Sequence, residues 1–171
     1  MWQRPPIVVL FVAVALIACA EGGGGAMVRF KTDLGRWVRS VMVTHAATHG
    51  LVGVRDVDEQ ILDEALVKFD AGLRLFHMHA EGMGLVIIAT TTIAASLVAA
   101  PRARTAILTL LTVGGAGYPL GYLVWSVLIP YQGIERGKAL AEWLCWIPFG
   151  SATIVAMWWL AGVIGMRLVR R

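Results

Sequence analysis

Thr105 to Pro130 reads TAILTLLTVGGAGYPLGYLVWSVLIP, without an Asp, Glu, Lys, Arg or His anywhere in it. About 18 apolar residues in a row are enough to cross a bilayer as a helix. Hydrocarbon offers the backbone no water, so such a run must satisfy its own N–H and C=O groups, and a helix does that within one segment. Working outward, Met83 to Ala100 and Trp143 to Met166 are equally free of charge. These runs predict an all-α integral membrane protein of three or four transmembrane helices, with an outer, periplasmic helical hairpin between the first run and the rest.

Composition agrees. Of 171 residues, 58% are hydrophobic and 15% charged, where a soluble domain carries about 25% charged residues. The net charge of +4 invites a nucleic-acid reading, but the placement of the cations argues against one. Arg4, Arg102, Arg104, Arg167, Arg170 and Arg171 flank apolar runs with no acidic residue nearby. Cations biased to one side of the spans mark the cytoplasm. The segment from residue 21 to 82 then faces outward, with seven Lys/Arg against nine Asp/Glu, as does the loop Tyr131 to Glu142. A bacterial inner membrane is the natural setting, and the outer side is its periplasm.

The N-terminal run, Pro5 to Ala20, leaves two readings open. It is a retained first helix or signal anchor, or it is a removable signal peptide. Leu16-Ile17-Ala18-Cys19 resembles a bacterial lipobox with Cys19 as the lipidated residue, and Gly22 to Gly25 then reads as a flexible tether. The chain divides into residues 1–20 (signal anchor, signal peptide or first transmembrane helix), 21–82 (periplasmic helical segment) and 83–171 (a three-helix transmembrane region). Cys19 and Cys145 form no CxxC pair and predict no disulfide framework.

In the outer segment Asp33 is a candidate N-cap for a helix running to Gly50 or Gly53. Leu34, Trp37, Val38, Val41 and His45 share one face, with His49 at its edge. Asp56 with Glu59 resembles a capping box that opens a second helix, whose stripe is Leu62, Ala65, Leu66, Phe69, Leu73, Phe76 and Ala80. This helix is expected to run on into the Met83–Ala100 span, with a bend at Gly82 or Gly84. In the next span, Gly117 and Gly121 form a GxxxG step for close helix contact, and Pro119 predicts a kink. Tyr118, Tyr122, Trp125, Tyr131, Trp143 and Trp146 read as an interfacial aromatic belt. The absence of ionisable groups from the three clear spans disfavours a pump or transporter.

Chemistry is left to the histidines. His45 and His49, at i and i+4, point the same way; His77 and Glu81 form a second such pair. If the two helices pack, His45, His49, His77 and Glu81 make a two-plus-two metal set suited to Zn, Cu or Fe. A variant uses His79 and Met83 and leans toward copper. Alternatively, haem b takes one axial imidazole from His45 or His49 and one from His77 or His79. No CxxCH is present for covalent haem attachment. The competing reading makes the histidines interfacial hydrogen-bonders. His77 and His79 lie about 200° apart around a helix, so they cannot share one ion.

Arg74-Leu-Phe-His77-Met-His79-Ala-Glu-Gly82-Met-Gly84, opening a span, resembles an Arg/His-rich helix of haem–copper oxidase subunit I and related small membrane haem proteins. The resemblance covers residues 74–84 alone, and the further spans and histidines of that family are absent. It implies a haem- or metal-associated respiratory protein, not an oxidase. The expectation is therefore a small membrane subunit of a redox or respiratory complex that binds haem or a metal ion through its periplasm-side histidines and is not an enzyme by itself. The alternative is a cofactor-free structural or assembly subunit. Expected partners are the lipid bilayer and other membrane subunits or a second copy of the chain.

Overall fold

The computed structural model describes residues 3–169; Arg170 and Arg171 of the cationic tail lie outside the described residues. Every element found there is helical: α1 (Ile7–Arg29), α2 (Lys31–Thr44), α3 (Ala46–His49), α4 (Arg55–Leu97), α5 (Pro101–Gln132), α6 (Ile134–Ala141) and α7 (Ile147–Val169), with a π-helical turn (Glu142–Trp146) joining the last two. Among the described residues, four helical stretches are long and apolar enough to cross a membrane: α1, α4, α5 and the rod from Ile134 to Val169. The protein is thus a multi-pass membrane protein by the length and composition of its helices.

The glycine run is helix where the sequence reading expected a tether. Each helical glycine costs roughly 1 kcal/mol against alanine, and packing offsets that cost. A side chain at Gly24 would come within 3.0 Å of the His77 ring, and one at Gly23 within 3.8 Å of Phe76. Bare backbone there lets the end of α1 lie close against α4. Ala13 and Ala20 are fully buried in that seam, and Ile17 fills the space beside Gly84. The Pro5–Ala20 run and the start of the expected outer segment thus belong to one helix. α1 ends at Phe30, whose φ of −112° and ψ of 15° turn the chain into α2.

α2 starts at Lys31, so Asp33 sits inside its first turn instead of capping it. The helix expected to reach Gly50 is interrupted at His45 (φ −106°, ψ 37°) and resumes as the short α3. Gly50, at φ +68°, supplies the left-handed cap. The expected capping box does not form either. α4 begins at Arg55 with no side-chain cap. Instead, the Asp58 carboxylate accepts the backbone N–H of Val52 (2.8 Å) and of Gly53 (2.9 Å), fixing the chain that enters the helix. Glu59, freed from capping, pairs with Arg39 of α2, and Asp63 lies 3.6 Å from the same guanidinium. Both partners are substantially exposed, which limits the pair to about 1 kcal/mol or less.

α4 runs 43 residues with no break at Gly82 or Gly84. At 1.5 Å per residue it is roughly 65 Å long, about twice a bilayer's hydrocarbon core. Its outer half packs on α2 and the end of α5 through Val38, Met42, Leu62, Ala65, Phe69 and Ile129. The cationic Pro101-Arg102-Ala103-Arg104 segment forms the first turn of α5, leaving only Val98 to Ala100 as the connection. The Tyr131–Glu142 loop is absent too: Gly133 alone separates α5 from α6, at φ +79°. Pro148 explains the π turn just before it. A proline cannot donate to the carbonyl four residues back and its ring crowds that carbonyl; the widened turn, with Ile147 N–H bonding to Glu142 O, absorbs the conflict.

The α5 glycines do what their spacing promised and somewhat more. Gly114, Gly117 and Gly121 share the face toward the last helix. Methyl groups at Gly117 and Gly121 would overlap the rings of Phe149 and Trp146, and one at Gly114 would lie 2.8 Å from the Phe149 carbonyl. Gly115, about 100° around, faces Ile87 of α4. Gly162 of α7 meets nothing within 4 Å. Gly117→Ala should accordingly lower the thermal midpoint of the detergent-purified protein, by an overpacking cost of about 1–3 kcal/mol. Gly162→Ala should leave the midpoint unchanged or raise it.

Candidate functional site

The histidines occupy three separate places. His45, at the break after α2, directs Nδ1 to its own Val41 carbonyl at 2.9 Å and stands edge-on to Tyr131, with ring centroids 5.7 Å apart. His49, on α3, crosses to α5 and bonds the Pro130 carbonyl through Nε2 at 2.9 Å. That carbonyl can use the contact: it belongs to the last turn of α5, where intrahelical donors run out. His77, on α4, bonds the Ala20 carbonyl of α1 through Nδ1 at 2.8 Å. His79 bonds its own Leu75 carbonyl at 2.8 Å and lies 4.5 Å from the Tyr122 ring and 5.8 Å from the Tyr118 ring. A carbonyl can only accept, so each nitrogen in these bonds carries the proton.

The structure therefore does not bring His45 and His49 to His77 and Glu81. His49 shares a cavity with Ala65 of α4, and His77 lies twelve residues further along that helix, an axial rise of roughly 18 Å. Among the described residues, no three His, Cys, Asp or Glu side chains gather so as to hold a metal ion. The interruption at His45 also removes the i, i+4 helical register on which the His45/His49 pair depended. The same axial offset of roughly 18 Å separates His49 from His77, whereas two axial imidazoles of one haem meet a single iron. Glu81 is half-buried and, among the described residues, enters no ion pair. Asp70 and Arg74 pair within α4 as their spacing implies.

Packing also moves the ionisable residues relative to the apolar band. Ala20, the last residue of the α1 apolar run, lies at His77. Trp146, from the last helix, contacts Tyr122, which in turn stacks on His79. The stretch of α4 in register with its apolar neighbours thus begins near His77 and not at Met83, and includes His77, His79 and Glu81.

Two features escaped the sequence reading. Ser126 is fully buried, and its hydroxyl reaches both the Phe69 carbonyl of α4 (3.2 Å) and the Tyr122 carbonyl of its own helix (3.0 Å). It sits in the space left by Gly72, where a methyl group would overlap its oxygen. As the only hydroxyl after Tyr122 in an apolar run, Ser126 carried a signal; Gly72, inside an amphipathic stripe, carried little. The second feature is an aromatic cluster: Tyr118 and Tyr122 hydroxyls meet at 3.1 Å, and Trp146 stands 4.9 Å from Tyr122 and 6.3 Å from Trp125. The expected belt thus divides. Trp143 is 73% exposed, as a belt residue is, while Tyr118 and Tyr122 pack on His79, Trp146 on Tyr122 and Trp125, and Tyr131 against Trp37 and His45.

No family model, curated protein or solved structure matches the chain.

The bonds of His49 and His77 join different helices, so His49→Ala and His77→Ala should each cost about 1–3 kcal/mol through the lost bond and the lost packing of the ring. The two sites share no partner and lie far apart, so the double variant should show the sum of the single losses. Thermal or denaturant unfolding in detergent measures all three. A double variant no worse than either single one would show instead that the two histidines act as ligands of one site.

Proposed function

We propose that the chain is a cofactor-free structural or assembly subunit of a bacterial inner-membrane complex, its outer helices standing in the periplasm. The observation that carries this reading is the use made of the histidines. Each is anchored to a backbone carbonyl, and the two that reach another helix fasten α3 to α5 and α4 to α1. The outer half of α4, braced by α2, offers partner subunits a solvated face bearing Asp56, Glu59, Asp63 and Glu64. Orientation follows from the cations. Gln3 bonds Ser96 and Arg104 across the start of α1, the end of α4 and the start of α5, so Arg4, Arg102 and Arg104 share one end of the bundle. A shared cationic end supports a cytoplasmic assignment.

A second reading keeps the redox role. In His45, His77 and His79 the protonated Nδ1 is held by a carbonyl, which in the neutral ring leaves Nε2 with its lone pair, as in imidazoles oriented for a metal. Since no three ligand-type side chains gather among the described residues, haem or a transition metal would draw further ligands from another subunit or a second copy. The resemblance of residues 74–84 to a haem-bearing helix supports the same idea.

Absorption and metal analysis of the protein purified with its partners separates the two. The structural reading expects no Soret band and no stoichiometric Zn, Cu or Fe. A Soret band or bound metal that disappears in His77→Ala would replace it with the redox reading. For orientation, an impermeant thiol reagent should label a cysteine placed at position 136 in intact cells and spare one at position 103; the reverse pattern would invert the topology.

A further inference from the structure

Where α1 leaves the apolar band and turns into α2, a cavity of about 450 Å³ opens between that elbow and α4. Its lining gathers Glu21, Lys31, Asp70, Arg74 and His77. The bare backbone of Gly24 and Gly25 forms part of the α1 wall. We propose that this cavity binds the phosphoethanolamine headgroup of a bilayer phospholipid.

Three observations support that occupant. The first is level. His77 lies against Ala20, the end of the α1 apolar run, and Asp70 is seven residues further out, roughly 10 Å along the helix. The cavity therefore covers the layer, about 5–8 Å thick, that headgroups occupy on either side of the hydrocarbon. The second is charge pattern. Two cations and two carboxylates line one cavity, which complements a zwitterion and no net anion. Arg74 is held by Asp70, whereas Lys31 and Glu21 have no ion-pair partner among the described residues. Lys31 and Arg74 take the phosphate; Glu21 and Asp70 accept N–H groups of the ammonium.

The third observation is the histidine. Its Nδ1 proton is committed to the Ala20 carbonyl; in the neutral imidazole Nε2 is then an acceptor and supplies a further site for an ammonium N–H. A trimethylammonium has no N–H to give these acceptors, and a phosphoglycerol headgroup would leave both carboxylates facing a net anion. The adjoining apolar cavity beside Leu66, Phe69 and Leu73 shares Met27, Lys31 and Asp70 with this one and extends it away from the span. The acyl chains accordingly run the other way, down α1 and α4.

The test uses the full-length protein, reconstituted in vesicles of equal phosphatidylethanolamine, phosphatidylcholine and phosphatidylglycerol and released into mild detergent for native mass spectrometry of bound lipid. Phosphatidylethanolamine should be retained in excess over the other two. A cation beside a lipid surface contributes roughly a fivefold factor, so Lys31→Ala combined with Arg74→Ala should lower its retention by about tenfold or more. Arg36→Ala, which removes an exposed α2 cation outside the cavity, should change nothing. Glu21→Gln should weaken phosphatidylethanolamine while leaving any phosphatidylglycerol signal in place, which separates a lost acceptor from a lost fold. Bound lipid in the proportions of the vesicle, a preference for phosphatidylglycerol, or full retention by the double variant would each overturn the proposal.

Discussion

Helices in hydrocarbon gain nothing from burying leucine against leucine, because the lipid tails are as apolar as the side chains. What holds them is close contact of surfaces, which small residues permit, and hydrogen bonds that find no competitor in the bilayer. In this protein the first condition is met along α5. Its glycines let the rings of Phe149 and Trp146 come down onto backbone on one side and Ile87 on the other. The last helix buries only Ala156 and Leu160 of its own residues after the π turn, so its position rests on how closely α5 receives its first turns.

The second condition is met by side chains bonding to carbonyls. Thr91 and Thr112 return their hydroxyls to their own helices, which leaves no polar group exposed but joins nothing. Ser126, His77 and His49 instead reach across, tying α5 to α4, α4 to α1 and α3 to α5. Each gives a carbonyl of one helix a donor from another. These three contacts occur near or beyond the end of the apolar band, where the small-residue seam gives way to the outer helices. The bundle is thus held by shape within the lipid and by polar ties where it emerges.

The helical class and the apolar runs were legible because charge is absent over long stretches, and no tertiary context can reverse that signal. The glycine contacts of α5 were legible for a related reason: at three- and four-residue spacing, small residues have few uses in lipid other than close approach. Element ends were read less well. Asp33 and Asp56 were reasonable caps by type, but α1's continuation through its glycines moved the first boundary, and α4 starts uncapped while Asp58 holds the chain that enters it. The histidine set was misplaced because spacing along each helix says nothing of the offset between helices. His45 and His77 could meet only if α2 and α4 slid past each other by many residues, and the pairing of Arg39 with Glu59 shows where they stop. The register of α4 was hidden for the same reason: Ala20 and Tyr122 reveal it, and neither is on α4.

A single unbroken α4 also has a mechanical meaning. Changes in bilayer thickness are met in part by tilting the helices that span it, and a rod without a hinge carries the tilt beyond the membrane. A rotation of about 10° at the apolar band would swing a tip roughly 35 Å away by about 6 Å. The brace of α2, joined to α4 by Arg39 and to α5 by Trp37 and Tyr131, makes the outer helices move as one body. Stretching or thinning of the surrounding lipid would then reach the outermost residues as a lateral displacement, with the stalk serving as a pointer on a membrane gauge.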